Sequence, residues 1–344
     1  MKKILRILLP VLVPALIVCG LYRFNEDARS FMQDTLYDLK IIVSGTKEII
    51  SDASQSLYQM VSEGAMISDD EAESLQASEL RGEELEFDEL YCICYGMLND
   101  VQKSFYKQLY ANITAMNSDV VPYMDIPDEE AVDTVMAVFN DHPELFWLDT
   151  SFTYRYTRDH LCAEIVLTFY TLSEHADEYR EKFEAAADEI IAGAQLLETD
   201  FEKEKYVHDA VIDLAEYDLE ASFSQSAFSA LVNHKTVCAG YAKAFQYIMN
   251  RLSVPCYYAA GTAEEDHAWN IVMLEGEYYN VDLTWDDCEE GRYDFFNVPD
   301  RIFELTHERT GMSVNLPKCR GEKYAGKGAS EAPGHIRREH EDES

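Results

Sequence analysis

Residues 236–285 read TVCAGYAKAFQYIMNRLSVPCYYAAGTAEEDHAWNIVMLEGEYYNVDLTW, and the change of period within this stretch decides the fold. Thr236 and Val237 form an extended approach. Tyr241, Phe245, Ile248 and Leu252 then recur at steps of four and three, the spacing of one helix face. The helix opens at Cys238, which places the thiol in the first turn. There, unpaired N–H groups and the positive end of the helix dipole stabilise a thiolate. Gly240 adds no side chain near the sulfur and is expected to ease the approach of a substrate. His267 opens a strand, HAWNIVML, Gly276 marks a turn, and EYYNVDLTW returns as a second strand. With Glu275-Gly276 as a two-residue loop, Leu274 faces Glu277 and Trp269 faces Asp282. His267 then lies diagonal to Asp282 on the same face of the sheet. A three-residue loop would put the two on opposite faces.

Each of the three residues alone has an ordinary structural reading: a buried cysteine at a helix start, a histidine in a strand, an aspartate capping a turn. Together they are a thiol, a base and an acid in an order that permits nucleophilic attack on an amide carbonyl. Asp282 would hold the His267 imidazole and stabilise its charged form, and the backbone N–H of Cys238 is expected to face the developing oxyanion. His234 is too close in sequence to Cys238 to serve. His208, beside Asp209 on another helix, reads as packing or capping. No phosphate loop, Walker motif or H-E-x-x-H pattern is present, and Cys92-x-Cys94 has no matching second pair, so neither a cofactor nor a metal is expected.

Working outward, Phe201–Tyr217 reads as a helix, and residues 87–200 as a smaller α/β region ahead of the catalytic unit of 201–310. That region has helical spacing in FDELYCICYGMLNDVQKSFYKQLY, a second helix at 128–139, a hairpin in FTYRYTRDHLCAEIVLTFY and a long helix near 173–196. Residues 63–86 are acidic, lack an apolar period and read as a linker; residues 311–344 read as a disordered tail. From Met32 to Met60 apolar residues step by four and three, giving a stalk helix over 24–62. It either self-associates or packs on its own domain. Lys2, Lys3 and Arg6 precede an uncharged run from Ile7 to Tyr22, so residues 1–23 read as a transmembrane signal anchor or a cleaved signal peptide. With the basic flank inside, the protein is expected at the cell membrane as a single-pass chain facing outward, or secreted if the signal is cleaved.

Residues 201–300 resemble the transglutaminase-like superfamily, in the form common among bacterial surface proteins. The features that carry the resemblance are Val207-His208-Asp209, Tyr217-Asp218, SALVNHKTVCAGYAKAFQYIMNRLSVPC, GTAEEDHAWNIVMLEGEYYNVDLTWDD and DFFNVPD. DHPELFWL near residue 141 resembles a segment often found upstream of such domains. The resemblance implies an α+β, papain-like fold in which a cysteine helix packs on an antiparallel sheet. It also implies a thioester intermediate and puts Cys238, His267 and Asp282 in the roles of nucleophile, base and orienting acid. Where animal transglutaminases have tryptophan after the nucleophile, this chain has Ala239-Gly240-Tyr241. Transfer to an amine and hydrolysis by water therefore both stay open. The alternatives to a transglutaminase-like acyltransferase are a cell-envelope cysteine peptidase or amidase and a non-catalytic surface module.

The net charge of -37 over 344 residues excludes a partner recognised through its phosphate backbone; the expected partner is a protein or peptide substrate, besides the membrane. Setting aside Cys19 and Cys238, the remaining cysteines (Cys92, Cys94, Cys162, Cys256, Cys288, Cys319) are irregularly spaced and read as thiols outside any disulfide framework.

Overall fold

A computed structural model of the chain describes residues 61–288 and 292–328. The run at 1–23 lies outside them, as does the stalk of 24–62 apart from its last two residues, which open a strand. Among the described residues no helix is long and apolar enough to cross a membrane.

The fold is α+β, with two four-stranded sheets. The first takes β1 (Val61–Met66), β2 (Asp119–Val120), β3 (Leu148–Tyr156) and β4 (Cys162–Phe169) in the order β1-β3-β4-β2. β1 runs parallel to β3, and the β3–β4 hairpin is antiparallel. Residues 63–86, expected to be a linker, thus contain an edge strand and a short helix, α1 (Asp69–Ser74). The strand is legible only in its pairing: the Tyr154 ring lies where a Cβ on Gly64 would sit. The helical stretch that follows is two helices, α2 (Ile93–Met97) and α3 (Asp100–Thr114). The second is started afresh by a capping box in which the Asn99 side chain accepts from the Gln102 N–H and the Gln102 side chain accepts from the Asn99 N–H.

Helix α4 (Asp128–Asp141) ends in the DHPELFWL segment, whose polar residues are turned inward. The Asp141 carboxylate accepts from the N–H groups of Cys94 and Tyr95 at 3.0 and 2.8 Å and from the Tyr106 hydroxyl at 3.0 Å. It thereby satisfies the start of α2. Phe146 stacks on Phe228, with ring centroids 5.2 Å apart, and its carbonyl accepts from Ser226 Oγ. Helices α5 (Ala176–Ala194), α6 (Asp200–Leu214) and α7 (Ala227–Leu231) complete the surround of the central helix α8 (Cys238–Arg251). One hydrophobic core runs from Phe105 and Val138 through Phe183 and Phe228 to Phe245 and Val281, so residues 87–200 and the cysteine helix share their interior.

The second sheet, in the order β10-β7-β8-β9, is antiparallel throughout: β7 (Cys256–Ala263), β8 (Glu265–Leu274), β9 (Glu277–Val281) and β10 (Glu308–Arg309). The two-residue strands β5 (Glu216–Tyr217) and β6 (Lys235–Thr236) pair in parallel just ahead of α8. Beyond β9 lie the short helices α9 (Leu283–Asp286) and α10 (Asp300–Phe303).

The expected disordered tail starts too early. Residues 311–328 are held on the sheet, with Leu316 and Cys319 buried. Polar contacts do the anchoring. Arg309 donates to the carbonyls of Leu316 and Pro317 and to Asp300 Oδ1, and Asp300 Oδ2 accepts from the Cys319 N–H. An apolar pattern cannot report such contacts. Among the described residues no two cysteines are joined in a disulfide.

Candidate active site

Helix α8 is buried along nearly its whole length, its polar Lys243 and Gln246 included. It begins from Val237 in an extended conformation with no side-chain cap, so the first turn leaves backbone N–H groups beside Cys238. The thiol packs among Ala239, Ala242, Tyr258 and Ala268, where α8 crosses β7 and β8. Asn270 on β8 donates to the Ala242 carbonyl at 2.9 Å and fixes the helix to the strand.

The hairpin register is the one that brings His267 and Asp282 to one face. Leu274 pairs with Glu277 and Asn270 with Val281, across a turn in which Glu275 and Gly276 both have positive φ, 51° and 82°. His267 Nε2–H donates to Asp282 Oδ2 at 2.7 Å. Asp282 also caps α9: its Oδ1 accepts from the N–H groups of Thr284 and Trp285 at 3.0 and 3.2 Å. A second imidazole reaches the same carboxylate, with His307 Nε2 3.1 Å from Asp282 Oδ2.

The charges follow from these contacts. Burial opposes ionisation of Asp282, but the charge and hydrogen bond of His267 and the hydrogen bond of His307 outweigh it, so the carboxyl is held well below its usual range. Burial likewise disfavours a charged His267, yet Asp282 and, to a lesser extent, Cys238 raise it from 6.5 to about 10. At neutral pH the pair is therefore a carboxylate and an imidazolium.

Gly240 does not open the way to the sulfur as expected. A Cβ there would lie 1.8 Å from Thr236 Oγ1 and 2.7 Å from Ser229 Oγ. The glycine is present so that the first turn of α8 can close on α7 and β6. His208 is buried: its Nε2 is 3.1 Å from Asp286 Oδ2 and its Nδ1 is 3.1 Å from Asp209 Oδ1. Burial alone would lower it, but the two carboxylates raise it, and through them it joins α6 to α9.

His307 is the residue that sequence reasoning missed. It follows α10 and precedes β10, and nothing in LTHERT marks it. The signal lies in pairing: Glu308 opposes Thr262 and Arg309 opposes Gly261, the partner of His267 on β7. Among the described residues His267, Asp282 and His307 are also the group whose potential ligand atoms lie within 4.8 Å of one another. Both imidazoles, however, aim Nε2 at one oxygen, at hydrogen-bond lengths.

Cys238 at the helix start thus lies against the hairpin that pairs His267 with Asp282. Residues 184–283 match the profile of the transglutaminase-like superfamily. This chain carries a transglutaminase-like domain. The matched residues contain Cys238, His267 and Asp282 and stop short of His307. The chain is also similar to Kyphoscoliosis peptidase of Mus musculus, 30% identical over an alignment of 169 residues that covers 40% of this chain and 25% of that protein. The Homo sapiens protein is 31% identical over an alignment of 153 residues that covers 38% of this chain and 23% of its own length. The chain thus spans about a quarter of the length of these curated relatives. A solved TGase structure aligns at 17% identity and a TM-score of 0.30, covering 52% of this chain and 54% of that one.

Proposed function

We propose that the chain is a thiol enzyme that attacks amide carbonyls of peptide or protein substrates, with Cys238 as nucleophile, His267 as base and acid, and Asp282 as the orienting carboxylate. The supporting observation is the 2.7 Å bond from His267 to Asp282, on a hairpin packed against the helix that begins at Cys238. In this reading the Cys238 thiolate bonds to the carbonyl carbon while the Cys238 N–H faces the oxyanion. The imidazolium of His267 then protonates the departing amine as the C–N bond breaks, leaving a thioester. His267 takes a proton from the incoming acceptor, the acceptor oxygen or nitrogen bonds to the carbonyl, and the thiolate leaves. Water as acceptor completes hydrolysis; a primary amine completes transfer. The peptidase name of the two curated relatives favours water. The apolar run at 1–23 supports an outward-facing membrane location, which protease shaving of intact cells tests.

The test of the enzyme reading is alkylation of the full chain by iodoacetamide at pH 6, alongside Cys238→Ala. Labelling of Cys238 much faster than of an ordinary thiol is expected, since an unperturbed cysteine is almost wholly protonated there. Labelling no faster than that refutes the activated nucleophile. A glutamine-containing peptide, incubated with and without a primary amine, separates the acceptors. Backbone cleavage without adduct is the hydrolytic outcome, and an amine adduct with ammonia release is the transfer outcome.

A further inference from the structure

The Asp282 carboxylate is asymmetric in its surroundings. Oδ1 is committed to the two N–H groups that start α9, and Oδ2 receives both imidazoles, His267 at 2.7 Å and His307 at 3.1 Å. His307 is wholly enclosed by aromatic rings. Its centroid is 3.9 Å from that of Phe303, 4.6 Å from Trp285, 5.3 Å from Trp269 and 5.6 Å from Phe295. Its other nitrogen, Nδ1, is 2.8 Å from Thr306 Oγ1.

The proton positions follow. Asp282 is ionised and offers only lone pairs, so His307 must carry a hydrogen on Nε2. Asp282 and His267 are the titratable groups acting on His307. Burial and the nearby charged His267 lower it against the pull of Asp282, which leaves it neutral at pH 7. In a neutral imidazole with Nε2–H, Nδ1 is an acceptor; the Thr306 hydroxyl, 2.8 Å from it and 3.3 Å from the Phe303 carbonyl, is within reach to donate to either. A neutral donor fixes the carboxylate without competing with His267 for its charge.

We infer that His307 is a positioning residue for the proposed thiol chemistry: by donating to Asp282 Oδ2 it holds that oxygen where His267 needs it. The inference rests on the Cys238 reading. It goes beyond the transglutaminase-like domain proper, because His307 lies outside the residues the family profile matches. Its structural basis is the edge strand β10. The strand can approach β7 only because Gly261 has no side chain; a Cβ there would lie 2.0 Å from the Glu308 carbonyl oxygen.

Two substitutions in the full chain separate donation from packing. His307→Phe keeps an aromatic ring among Phe303, Trp285 and Trp269 and removes the donor; His307→Gln keeps an N–H donor and removes the ring. Two readouts are taken: alkylation of Cys238 by iodoacetamide at pH 6, and the downfield ring-proton resonance of His267 hydrogen-bonded to Asp282. In the Phe variant alkylation is expected to fall by about tenfold or more, the effect of losing one hydrogen bond to a charged group, with loss of the ring-proton resonance. The Gln variant is expected to recover most of the rate and the resonance. A Phe variant that keeps both, or a Gln variant that loses both while the Phe variant keeps them, overturns the inference and leaves His307 a packing residue. If the Phe variant fails to fold, Thr306→Val serves instead. It removes the hydroxyl beside Nδ1 and should weaken the same resonance; an unchanged resonance counts against the inference. If the unaltered chain labels slowly, the Cys238 reading fails, and the resonance alone still decides whether His307 positions Asp282.

Discussion

Gly240→Ala is the sharpest test of how the nucleophile's helix is seated. In an ordinary helix this substitution stabilises by about 1 kcal/mol. Here the new methyl would sit 1.8 Å from Thr236 Oγ1, 2.7 Å from Ser229 Oγ and 2.9 Å from the Ser224 carbonyl oxygen. Ordinary contact begins near 3.4 Å, so the first of these is short by about 1.6 Å. Thr236 is buried and β-branched, and its hydroxyl bonds Ser229 Oγ at 2.5 Å and the Ser224 carbonyl at 3.1 Å. Rotating it away breaks both, at about 1 kcal/mol each. The contacts with Ser229 Oγ and the Ser224 carbonyl stay short after that rotation, so the helix must also shift, at an overpacking cost of about 1–3 kcal/mol. Set against the propensity gain, the net loss is about 2–4 kcal/mol. It is to be read as a drop in the denaturation midpoint followed by circular dichroism and Trp fluorescence together. Adding Thr236→Ala should restore about 1 kcal/mol or more, because the residues are in contact. A Gly240→Ala protein within about 0.5 kcal/mol of the unaltered one refutes this packing account. If it also alkylates slowly only with bulky electrophiles, Gly240 lines the approach to the thiol after all.

Asp282→Asn should lower His267 from about 10 towards 6.5 and reduce alkylation of Cys238 at pH 6 at least tenfold, with near-UV dichroism as the check on folding. In a Cys238→Ala background the same pair gives a signed pH effect. With Asp282 alone raising it, His267 in the folded chain keeps a proton above pH 6.5 that the unfolded chain has lost. This stabilisation is full below pH 6.5 and is lost as pH rises through the raised folded value, by up to about 1.4 kcal/mol per pH unit. Lys243, pushed down to about 7 by burial, contributes the opposite slope, so the expected result is a difference across that range between the proteins with and without Asp282→Asn. Lys243→Met leaves the Phe139 carbonyl at the end of α4 without its buried donor and should lower stability by about 1–3 kcal/mol in chemical denaturation. Gly261→Ala should detach β10, making residues 304–319 the first site cut in limited proteolysis; unchanged cleavage would show that the sheet edge absorbs the methyl.

The parts of the site that follow a period were legible in the sequence. Tyr241, Phe245, Ile248 and Leu252 announce α8, and a glycine after Glu275 between two period-2 runs announces the hairpin, from which the His267–Asp282 diagonal follows by counting. The parts that depend on single contacts were not. The Gly240 misreading came from treating a missing side chain as open space, when Thr236 and Ser229 fill it. β10 is two residues long and leaves no alternation to detect, yet it determines where His307 goes. Residues 311–319 bury little apolar surface and are anchored by Arg309 and Asp300, polar contacts that composition reads as solvation. The strand at 61–66 is exposed along most of its length and shows itself only through its partner β3.

The order of the chain gives β10 one more consequence, in the timing of synthesis. A ribosome that has delivered residues as far as Asp282 has made the thiol, the imidazole and the carboxylate, but not His307, Arg309 or the segment they tether. The hairpin can form before its second donor exists, and the carboxylate is then held on one side only. A growing chain would thus expose its cysteine while the charge arrangement around it is incomplete, and would complete that arrangement only when the edge strand closes over Gly261. Nascent chains halted before and after residue 309 should differ in how readily that thiol reacts, with the longer chain the more reactive at pH 6.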